Sequence, residues 1–258
     1  MPTSDQEAVG RQREYYAATA RDYDGMHIDP EHDRALRHVA SLIRMLGVSS
    51  VLDVGCGTGR AMDFLMSGCP DVDVRGIEPV EALIKQAGTD GKASAARMFR
   101  ATGTHLPFAD RSFDCVCEFA VLHHVSDPRV VVGEMTRVAR RLVCLSDENR
   151  FGMVGFPRNL LQFIVFKSGQ WRRFYWVWTR GKGYQYSEGD GVRYSYSVYD
   201  SFDQLAAWGD HLVLFPTALI KPKSWMHPLF TSSHVLLCAY RDDPLIPASG
   251  PIERKEAL

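Results

Sequence analysis

The sequence predicts an α/β fold built on a mostly parallel sheet with helices on both faces. Over residues 32–145, short apolar runs alternate with stretches of helical pattern, an order that requires parallel strands joined by crossover helices. The first run, Val51–Val54, is apolar except for Asp53, as expected of a strand buried on both faces. A glycine-rich loop and a new helical stretch follow it directly, as in a nucleotide-binding βαβ unit.

The predicted elements follow in a regular order. Residues 11–24 read as a first helix, and residues 32–46 form the clearest amphipathic helix, which Gly47 ends. Strands are predicted at 51–54, 72–77, within 94–103, at 113–119 and at 142–145, with helices starting at 61 and covering 81–87 and 128–141. A helix at 201–208 and strands at 211–216 and 234–241 complete the order, and residues 251–258 read as a frayed tail.

The composition excludes several classes of protein. The chain has 258 residues, of which 45% are hydrophobic, and its net charge of −1 gives no general reason to expect nucleic-acid binding. No apolar run is long enough to cross a bilayer, and the polar N-terminus is unlike a signal peptide. The six cysteines include no second pair at zinc spacing, so we expect reduced thiols, no metal site and a cytoplasmic location.

The loop Gly55-Cys56-Gly57-Thr58-Gly59 is the strongest signal in the chain. A dinucleotide site would place a pyrophosphate here and would prefer a glycine where Arg60 stands. Asp53, two residues before the loop, would repel a diphosphate. S-adenosylmethionine carries an ammonium and a sulfonium but no phosphate, so the loop favours that ligand over a dinucleotide.

Further motifs recur downstream in a known order. They are Gly-Ile-Glu-Pro at 76–79, Leu-Pro-Phe-Ala-Asp-Arg-Ser-Phe-Asp at 106–114 and Val-Leu-His-His-Val-Ser-Asp-Pro at 121–128. With the glycine loop, they make the chain resemble class I S-adenosylmethionine-dependent methyltransferases of the type-11 group, which includes ubiquinone and menaquinone methyltransferases. The resemblance covers roughly residues 15–145. It implies one domain over residues 1–258 with a doubly wound, Rossmann-like sheet of seven strands, the last two of which form an antiparallel pair.

The resemblance also implies a set of cofactor-binding residues. Gly55, Cys56, Gly57 and Gly59 would approach the methionine part of S-adenosylmethionine, and Asp53 would orient its ammonium. Glu78, followed by Pro79, would accept hydrogen bonds from both ribose hydroxyls, the one step that a dinucleotide-binding dehydrogenase would share.

Other implied positions concern the adenine and the cover of the site. The family usually has an aspartate where this chain has Thr102, whose hydroxyl can accept the adenine amine without the charge, beside the N–H of Gly103. Phe119 would lie along the cofactor. Tyr16 and Tyr23 match tyrosines of an N-terminal segment, residues 1–30, that folds over the cofactor in the family, although ordinary helix packing would explain them as well.

Four polar residues are candidates for the chemistry of methyl transfer. A hydroxyl or amine acceptor must lose a proton, so His123, which follows the fourth strand, is our first candidate for a general base. Asp147 is the second, as base or acceptor ligand. His124 and Asn149 are weaker candidates for contact with the acceptor, and packing or capping would explain the histidines equally well.

Residues 149–195 read as an insertion between the fifth strand and the final pair. From Asn149 to Ser187 there are seven basic residues, eleven aromatic residues and no acid. Three interpretations stay open: a lid over the acceptor, with Arg172 and Arg173 as donors; a surface that rests on an anionic membrane; or a subunit interface.

The sequence therefore predicts a methyltransferase that uses S-adenosylmethionine, releases S-adenosylhomocysteine and acts on a small or medium-sized acceptor. We expect O-methylation in secondary metabolism or in sugar or glycan biosynthesis, with an anionic or sugar-like acceptor and no nucleic-acid partner. Alternatives are a lipid-linked or quinone acceptor at a membrane surface, an inactive cofactor-binding regulator of the same fold, and a nicotinamide-dependent oxidoreductase. Both a monomer and a homodimer are compatible with the sequence.

Overall fold

A seven-stranded sheet lies at the centre of the computed structural model, which describes residues 4–26, 30–218 and 228–242. Its strands are β1 (Ser50–Val54), β2 (Asp73–Glu78), β3 (Met98–Arg100), β4 (Phe113–Phe119), β5 (Ala139–Glu148), β8 (His211–Pro216) and β9 (His234–Tyr240), and a separate hairpin comprises β6 (Gln185–Ser187) and β7 (Gly191–Arg193). The spatial order is β3-β2-β1-β4-β5-β9-β8. The strands β1–β5 pair in parallel, whereas β9 is antiparallel to both of its neighbours. The predicted mostly parallel sheet is confirmed.

Helices cover both faces of the sheet. They are α1 (Ser4–Thr19), α2 (Tyr23–Met26), α3 (Pro30–Met45), α4 (Arg60–Gly68), α5 (Glu81–Thr89), α6 (Pro128–Val138), α7 (Phe156–Lys167), α8 (Trp171–Trp178) and α9 (Phe202–Trp208). Buried residues of α3 and α4 join one core with Val51, and those of α6 and α9 join a second core with Leu52. Consecutive strand residues thus face opposite cores, as the period of a strand requires.

The chain order creates a crevice between β1 and β4. From β1 the chain proceeds to β2 and β3 on one side, and β4 and β5 then add on the other side. Ligands in open α/β sheets bind at the carboxyl ends of the strands, where the order reverses in this way. The loops after β1 and β4 therefore border the place where a ligand is expected to bind.

The boundary between α6 and β5 differs from the prediction. The helix predicted over 128–141 ends at Val138, and the strand predicted at 142–145 runs from Ala139 to Glu148. The reason is pairing with two distant strands, because Ala139 pairs with Phe113 of β4 and β9 pairs along β5 from Leu142 to Glu148. Asp147 therefore lies within the strand and not in a loop after it.

Two further predicted elements are shorter or broken. The first helix starts at Ser4 and ends at Thr19, and α2 follows after a turn instead of continuing it. Only residues 98–100 of the third strand pair with β2, because residues 93–97 form a 3-10 turn. The predicted frayed tail at 251–258 lies outside the described residues.

Candidate functional site

A cavity with two lobes opens at the carboxyl ends of β1, β2 and β4. The first lobe has a volume of about 400 Å³ and the second about 240 Å³. Tyr16, Tyr23 and Phe119 line both lobes. Together the lobes have the size of a small-molecule site, and they coincide with the crevice that the strand order creates.

The glycine loop after β1 forms the floor of the first lobe. Gly55, Gly57 and Gly59 have φ values of 77°, 57° and 81°, which favour glycine. A Cβ atom on Gly57 would lie 2.8 Å from the Tyr23 hydroxyl oxygen, too close for any side chain. Cys56 is buried in the same loop, and burial raises the pKa of its thiol. Gly55, Cys56 and Thr58 line the first lobe, whereas the Tyr23 hydroxyl covers Gly57, and neither Gly57 nor Gly59 lines the cavity.

Asp53 places a buried acid beside this loop. Its side chain lines the first lobe, and its Oδ2 atom has no hydrogen-bond partner among the described residues. Burial, together with the neighbouring Glu78, raises the pKa of Asp53 to about 7. A cation bound nearby would stabilise the ionised form, so the lobe suits a ligand with an ammonium group.

Glu78 ends β2 and reaches the second lobe. Its carboxylate accepts hydrogen bonds from the backbone N–H groups of Gly57 (3.0 Å) and Val80 (2.9 Å). Burial raises the pKa of Glu78 to about 7 although these bonds favour ionisation. Pro79 lies next to it in the wall of the lobe. The carboxylate is thus held in one orientation from which it can accept hydrogen bonds from ligand hydroxyls.

The rest of the second lobe is mainly apolar. Its wall includes Val54, Val80, Leu83, Val121, Val125 and Val131. Thr102 and Gly103 line it too, and the Thr102 hydroxyl lies 3.1 Å from that of Thr104. Phe119 lies at the junction of the lobes. A flat, apolar ring with a polar edge, such as adenine, fits this wall.

The N-terminal segment closes the cavity from above. The rings of Tyr16 and Tyr23 meet edge to face with centroids 5.5 Å apart. Asp24 accepts hydrogen bonds from the Thr58 hydroxyl and from the Lys92 ammonium, which ties α2 to the glycine loop. The predicted cover tyrosines are therefore placed over the cavity.

His123 and Asp147 form a buried pair behind the first lobe. The Asp147 Oδ1 atom lies 2.7 Å from Nδ1 of His123, and the Asp147 carboxylate also accepts from the N–H groups of Leu122, His123 and Glu148. The Nδ1–H group is thereby assigned to Asp147, and Nε2 of His123 is left on the side of Asp190. His123 lines the lobe, whereas Asp147 does not.

The pair shifts both pKa values. Burial opposes charge on both groups, but their mutual attraction exceeds it. The pKa of His123 is therefore raised well above its ordinary value, and that of Asp147 is lowered to about 2. Because its carboxylate is already occupied by four donors, Asp147 cannot also serve as base or acceptor ligand, and the prediction of that role is corrected. It holds the ring of His123 in position instead.

His124 points toward the cover. Its Nδ1 atom lies 2.6 Å from the Val192 carbonyl oxygen, so Nδ1–H donates, and Nε2 accepts a hydrogen bond from the Tyr16 hydroxyl at 2.8 Å. Burial and the neighbouring His123 lower the pKa of His124. His124 thus lines the cavity as a neutral ring that joins the N-terminal segment to the β6–β7 hairpin.

Asp190 is a site residue that sequence reasoning missed. It lies in the turn between β6 and β7, 3.5 Å from Nε2 of His123 and 3.4 Å from Nε2 of His124. Burial opposes its ionisation, but the two histidines lower the pKa of Asp190 more strongly. The signal was present as the turn Glu188-Gly189-Asp190-Gly191, the first acidic residues after the basic stretch.

Two groups of side chains could hold a cation within the described residues. One comprises His123, His124 and Asp190, and the other comprises His123, Asp147 and Glu148, with donor atoms within 4.8 Å of one another. The contacts described above explain both groups without an ion. The expectation that the chain has no metal site stays a prediction.

Three other predicted acceptor residues do not reach the cavity. Asn149 is buried, donates to the carbonyl oxygens of Leu229 and Ser232, and accepts from the Phe151 N–H, so it stabilises the chain after β5. Arg172 and Arg173 are exposed on α8 and line neither lobe. Their predicted contact with the acceptor is therefore corrected.

Comparisons with known proteins show similarity to methyltransferases. The family model of a methyltransferase domain matches residues 52–142. An O-methyltransferase of Aspergillus nomiae is 30% identical over 117 residues, which cover 44% of this chain and 52% of that protein. An O-methyltransferase of Penicillium expansum is 33% identical over 112 residues, covering 42% and 40%. The chain spans about half or less of the length of these relatives.

Solved structures show the same fold. A magnesium protoporphyrin IX methyltransferase of Synechocystis with bound S-adenosylhomocysteine has a TM-score of 0.57 and 16% identity, over 89% of this chain and 97% of that one. A 1,6-didemethyltoxoflavin N1-methyltransferase of Burkholderia thailandensis has a TM-score of 0.57 and 14% identity, over 94% and 92%. Within the described ranges, no helix combines the length and apolarity needed for a membrane crossing.

Proposed function

We propose that this chain, whose residues 52–142 belong to the methyltransferase domain family, is an S-adenosylmethionine-dependent methyltransferase. The observation that carries the proposal is the pairing of two features in one cavity. An open glycine loop with the buried acids Asp53 and Glu78 lies on one side, and His123, held by Asp147, lies on the other. The first feature suits a cationic nucleoside, and the second suits removal of a proton.

The residues around the two lobes would divide the work of binding. Asp53 and the backbone of Gly55 and Cys56 would hold the methionine end of the donor in the first lobe. Glu78 would hold the ribose hydroxyls at the second lobe, whose apolar wall would take the adenine. Tyr16, together with Tyr23, would cover the donor and keep water out.

The donor supplies an electrophilic methyl group, and the chain has to align an acceptor with it. A hydroxyl acceptor in the first lobe would lose its proton to Nε2 of His123. Asp147 would keep Nδ1 protonated and stabilise the positive ring that results, the same division of labour as in a Ser-His-Asp triad. His123 is the catalytic base in this proposal, and Asp147 is a positioning residue.

The charges of the first lobe favour a neutral, hydroxyl-bearing acceptor. The acids in its wall are Asp24, Glu31, Asp53, Glu148 and Asp190, against the cations of Arg60 and of His123, whose pKa is raised. Carboxylates accept hydrogen bonds from hydroxyls but repel anions. This balance supports a sugar-like or polyol acceptor over an anionic one, and the O-methyltransferase relatives support oxygen as the methylated atom.

Two measurements test the proposal. Titration with S-adenosylhomocysteine against NAD(H) should show binding of the former alone, and binding of NAD(H) instead would favour an oxidoreductase. Incubation with methyl-labelled S-adenosylmethionine and a panel of sugars, phenols and quinols should then label one class. Binding of the donor without transfer to any member of a broad panel would favour the inactive regulator of the same fold.

A lipid-linked or quinone acceptor is the second candidate function. The observation that favours it is an exposed apolar and basic surface that begins at Met153, in the wall of the first lobe. The cytoplasmic location, the absence of a nucleic-acid partner and the choice between monomer and homodimer stay predictions.

A further inference from the structure

The helices α7 and α8 expose an unusual amount of apolar surface. Nine of the sixteen exposed large apolar side chains in the described part of the chain lie within residues 153–178. We call this set the α7–α8 surface, and its members are Met153, Val154, Phe156, Leu161, Ile164, Phe174, Trp176, Val177 and Trp178. Scattered exposed apolar residues are normal, but a concentration of this kind marks a contact site.

Cations surround the α7–α8 surface. Exposed basic side chains on these helices and their flanks are Arg158, Lys167, Arg172, Arg173, Arg180 and Lys182. None of them forms an ion pair with another described residue, and residues 149–187 include no acid. The surface therefore combines apolar groups with uncompensated positive charge.

The exposed side of α8 is not the result of a loosely placed helix. Trp171 and Tyr175 on its other side are buried, and the Trp171 indole N–H donates to the Ser195 hydroxyl at 3.0 Å. Arg150 lies under them, paired with Asp200. Because the inner side is anchored in this way, Trp176, Val177 and Trp178 are held outward, with exposed fractions of 58%, 68% and 58%.

We propose that the α7–α8 surface docks on an anionic lipid membrane. Aromatic and aliphatic side chains would enter the boundary between headgroups and acyl chains, and the cations would contact acidic headgroups. A second copy of the chain fits less well, because a symmetric contact would bring identical cations together with no acids to offset them. A nucleic acid would use the cations and could stack on the four aromatic side chains, but it would leave the aliphatic members Leu161, Ile164 and Val177 without an apolar partner.

Docking in this manner would bring the cavity to the lipid. Met153 belongs both to the α7–α8 surface and to the wall of the first lobe, where His123 lies. An acceptor attached to a lipid, or dissolved among lipids, could therefore pass to the site without crossing water. This last step rests on the proposed methyltransferase activity, whereas the docking itself does not.

Vesicle binding tests the docking directly. The full chain should sediment with vesicles of phosphatidylcholine and phosphatidylglycerol, more weakly with phosphatidylcholine alone, and less as sodium chloride is raised. Val177→Asp should reduce the bound fraction at least tenfold, because a carboxylate would have to enter the apolar layer. Arg172→Glu with Arg173→Glu should reduce it comparably on anionic vesicles only.

Matched controls come from exposed residues elsewhere. Val130→Asp places the same charge at an apolar side chain that is 46% exposed on α6, and Arg37→Glu with Arg129→Glu makes the same change in net charge. Both controls should bind vesicles as the wild type does. Equal loss in controls and test variants, or failure of the wild type to bind anionic vesicles, would overturn the proposal. A dimer in solution that Val177→Asp dissociates would overturn it in favour of self-association.

The result of the vesicle experiment does not depend on the proposed methyltransferase activity. S-adenosylhomocysteine binding, measured on each variant by calorimetry, should be unchanged, because no substituted residue lines the cavity. Vesicle binding without donor binding would refute the proposed function and leave the docking intact. Donor binding without vesicle binding would refute the docking and leave the proposed function intact.

Discussion

Oδ1 of Asp147 lies 2.7 Å from Nδ1 of His123. Asp147 lies in β5, and His123 lies in the turn that follows the neighbouring strand β4. The contact assigns the Nδ1 proton to the buried side of the ring and leaves Nε2 for the cavity. A carboxylate that is occupied in this manner positions the base and does not replace it.

Removal of the ring should abolish proton transfer selectively. We expect His123→Ala to lower turnover about 10²–10⁴-fold, the usual contribution of a general base. Binding of S-adenosylhomocysteine should change little, because Asp53 and Glu78 are unaffected. His105→Ala, at an exposed histidine, is the control. Full activity of His123→Ala in a steady-state assay would show that alignment alone suffices.

Replacement of Asp147 should move the pH dependence of the reaction rate. Asp147 raises the pKa of His123 against the opposing effect of burial, so the rate of the wild type should increase with pH through an ionisation above the ordinary histidine value of 6.5. In Asp147→Asn the charge is lost, and the midpoint of this limb should move to lower pH while the maximal rate falls. A pH–rate profile of Asp147→Asn with an unchanged midpoint would show that Asp147 does not control the ionisation of the base.

Binding of the donor should depend on two buried acids. Burial raises the pKa values of Asp53 and Glu78 to about 7 from 3.8 and 4.5, so the folded state holds protons that the unfolded chain has lost. The contribution of these two acids to the stability of the free protein should therefore fall as pH rises from about 4 to 7. The ammonium group of bound S-adenosylhomocysteine would reverse the shift at Asp53, so affinity for this ligand should increase about tenfold from pH 6 to pH 8. Calorimetry of Asp53→Asn should show an affinity that depends less on pH than that of the wild type. An equal pH dependence in the two proteins would contradict the role of Asp53 in binding the donor.

The start of the insertion should contribute to stability. Arg150 is buried, donates to the Ser195 carbonyl oxygen at 2.6 Å and pairs with Asp200. Arg150→Ala would leave the carboxylate without its partner, so we expect a loss of about 2–4 kcal/mol in the free energy of unfolding, reduced from the fully buried case because Asp200 is partly exposed. Arg158→Ala, exposed on α7, should cost less than about 0.5 kcal/mol in the same denaturant titration. Equal effects of the two would mean that residues 149–195 are loosely attached, as a mobile lid would be.

Local signals were sufficient for most of the cofactor side of the cavity. Asp53 and Glu78 lie at or next to the ends of two predicted strands and the glycines follow the first of them, so the parallel order places them at one edge of the sheet, whereas their roles toward a cofactor came from the resemblance. The seven-stranded order came from the resemblance. Nothing in residues 128–148 alone indicates that β5 runs from Ala139 to Glu148, because Ala139 pairs with Phe113 of β4 and the other end pairs with β9, about ninety positions away.

The acceptor side of the cavity was less predictable because it also depends on contacts between residues that are distant in the sequence. Asp190 reaches the two histidines because a hairpin folds back from the insertion, and no pattern near residue 123 announces it. Arg172 and Arg173 belong to the most basic stretch of the chain, but composition does not indicate which side of α8 faces the cavity. In the structure the buried side of α8 carries Trp171 and Tyr175, neither of which lines the cavity, and the arginines are exposed.

The central claim is that the two-lobed cavity binds the methyl donor through Glu78. Calorimetry with S-adenosylhomocysteine on the wild type, Glu78→Ala and Glu81→Ala tests it most directly, since Glu81 is an acid three positions away whose carboxylate pairs with Lys85 on the surface. The account predicts one site per chain, a loss of about 1.5–3 kcal/mol in Glu78→Ala and no measurable loss in Glu81→Ala. No binding to the wild type, or equal affinity in all three proteins, would contradict it.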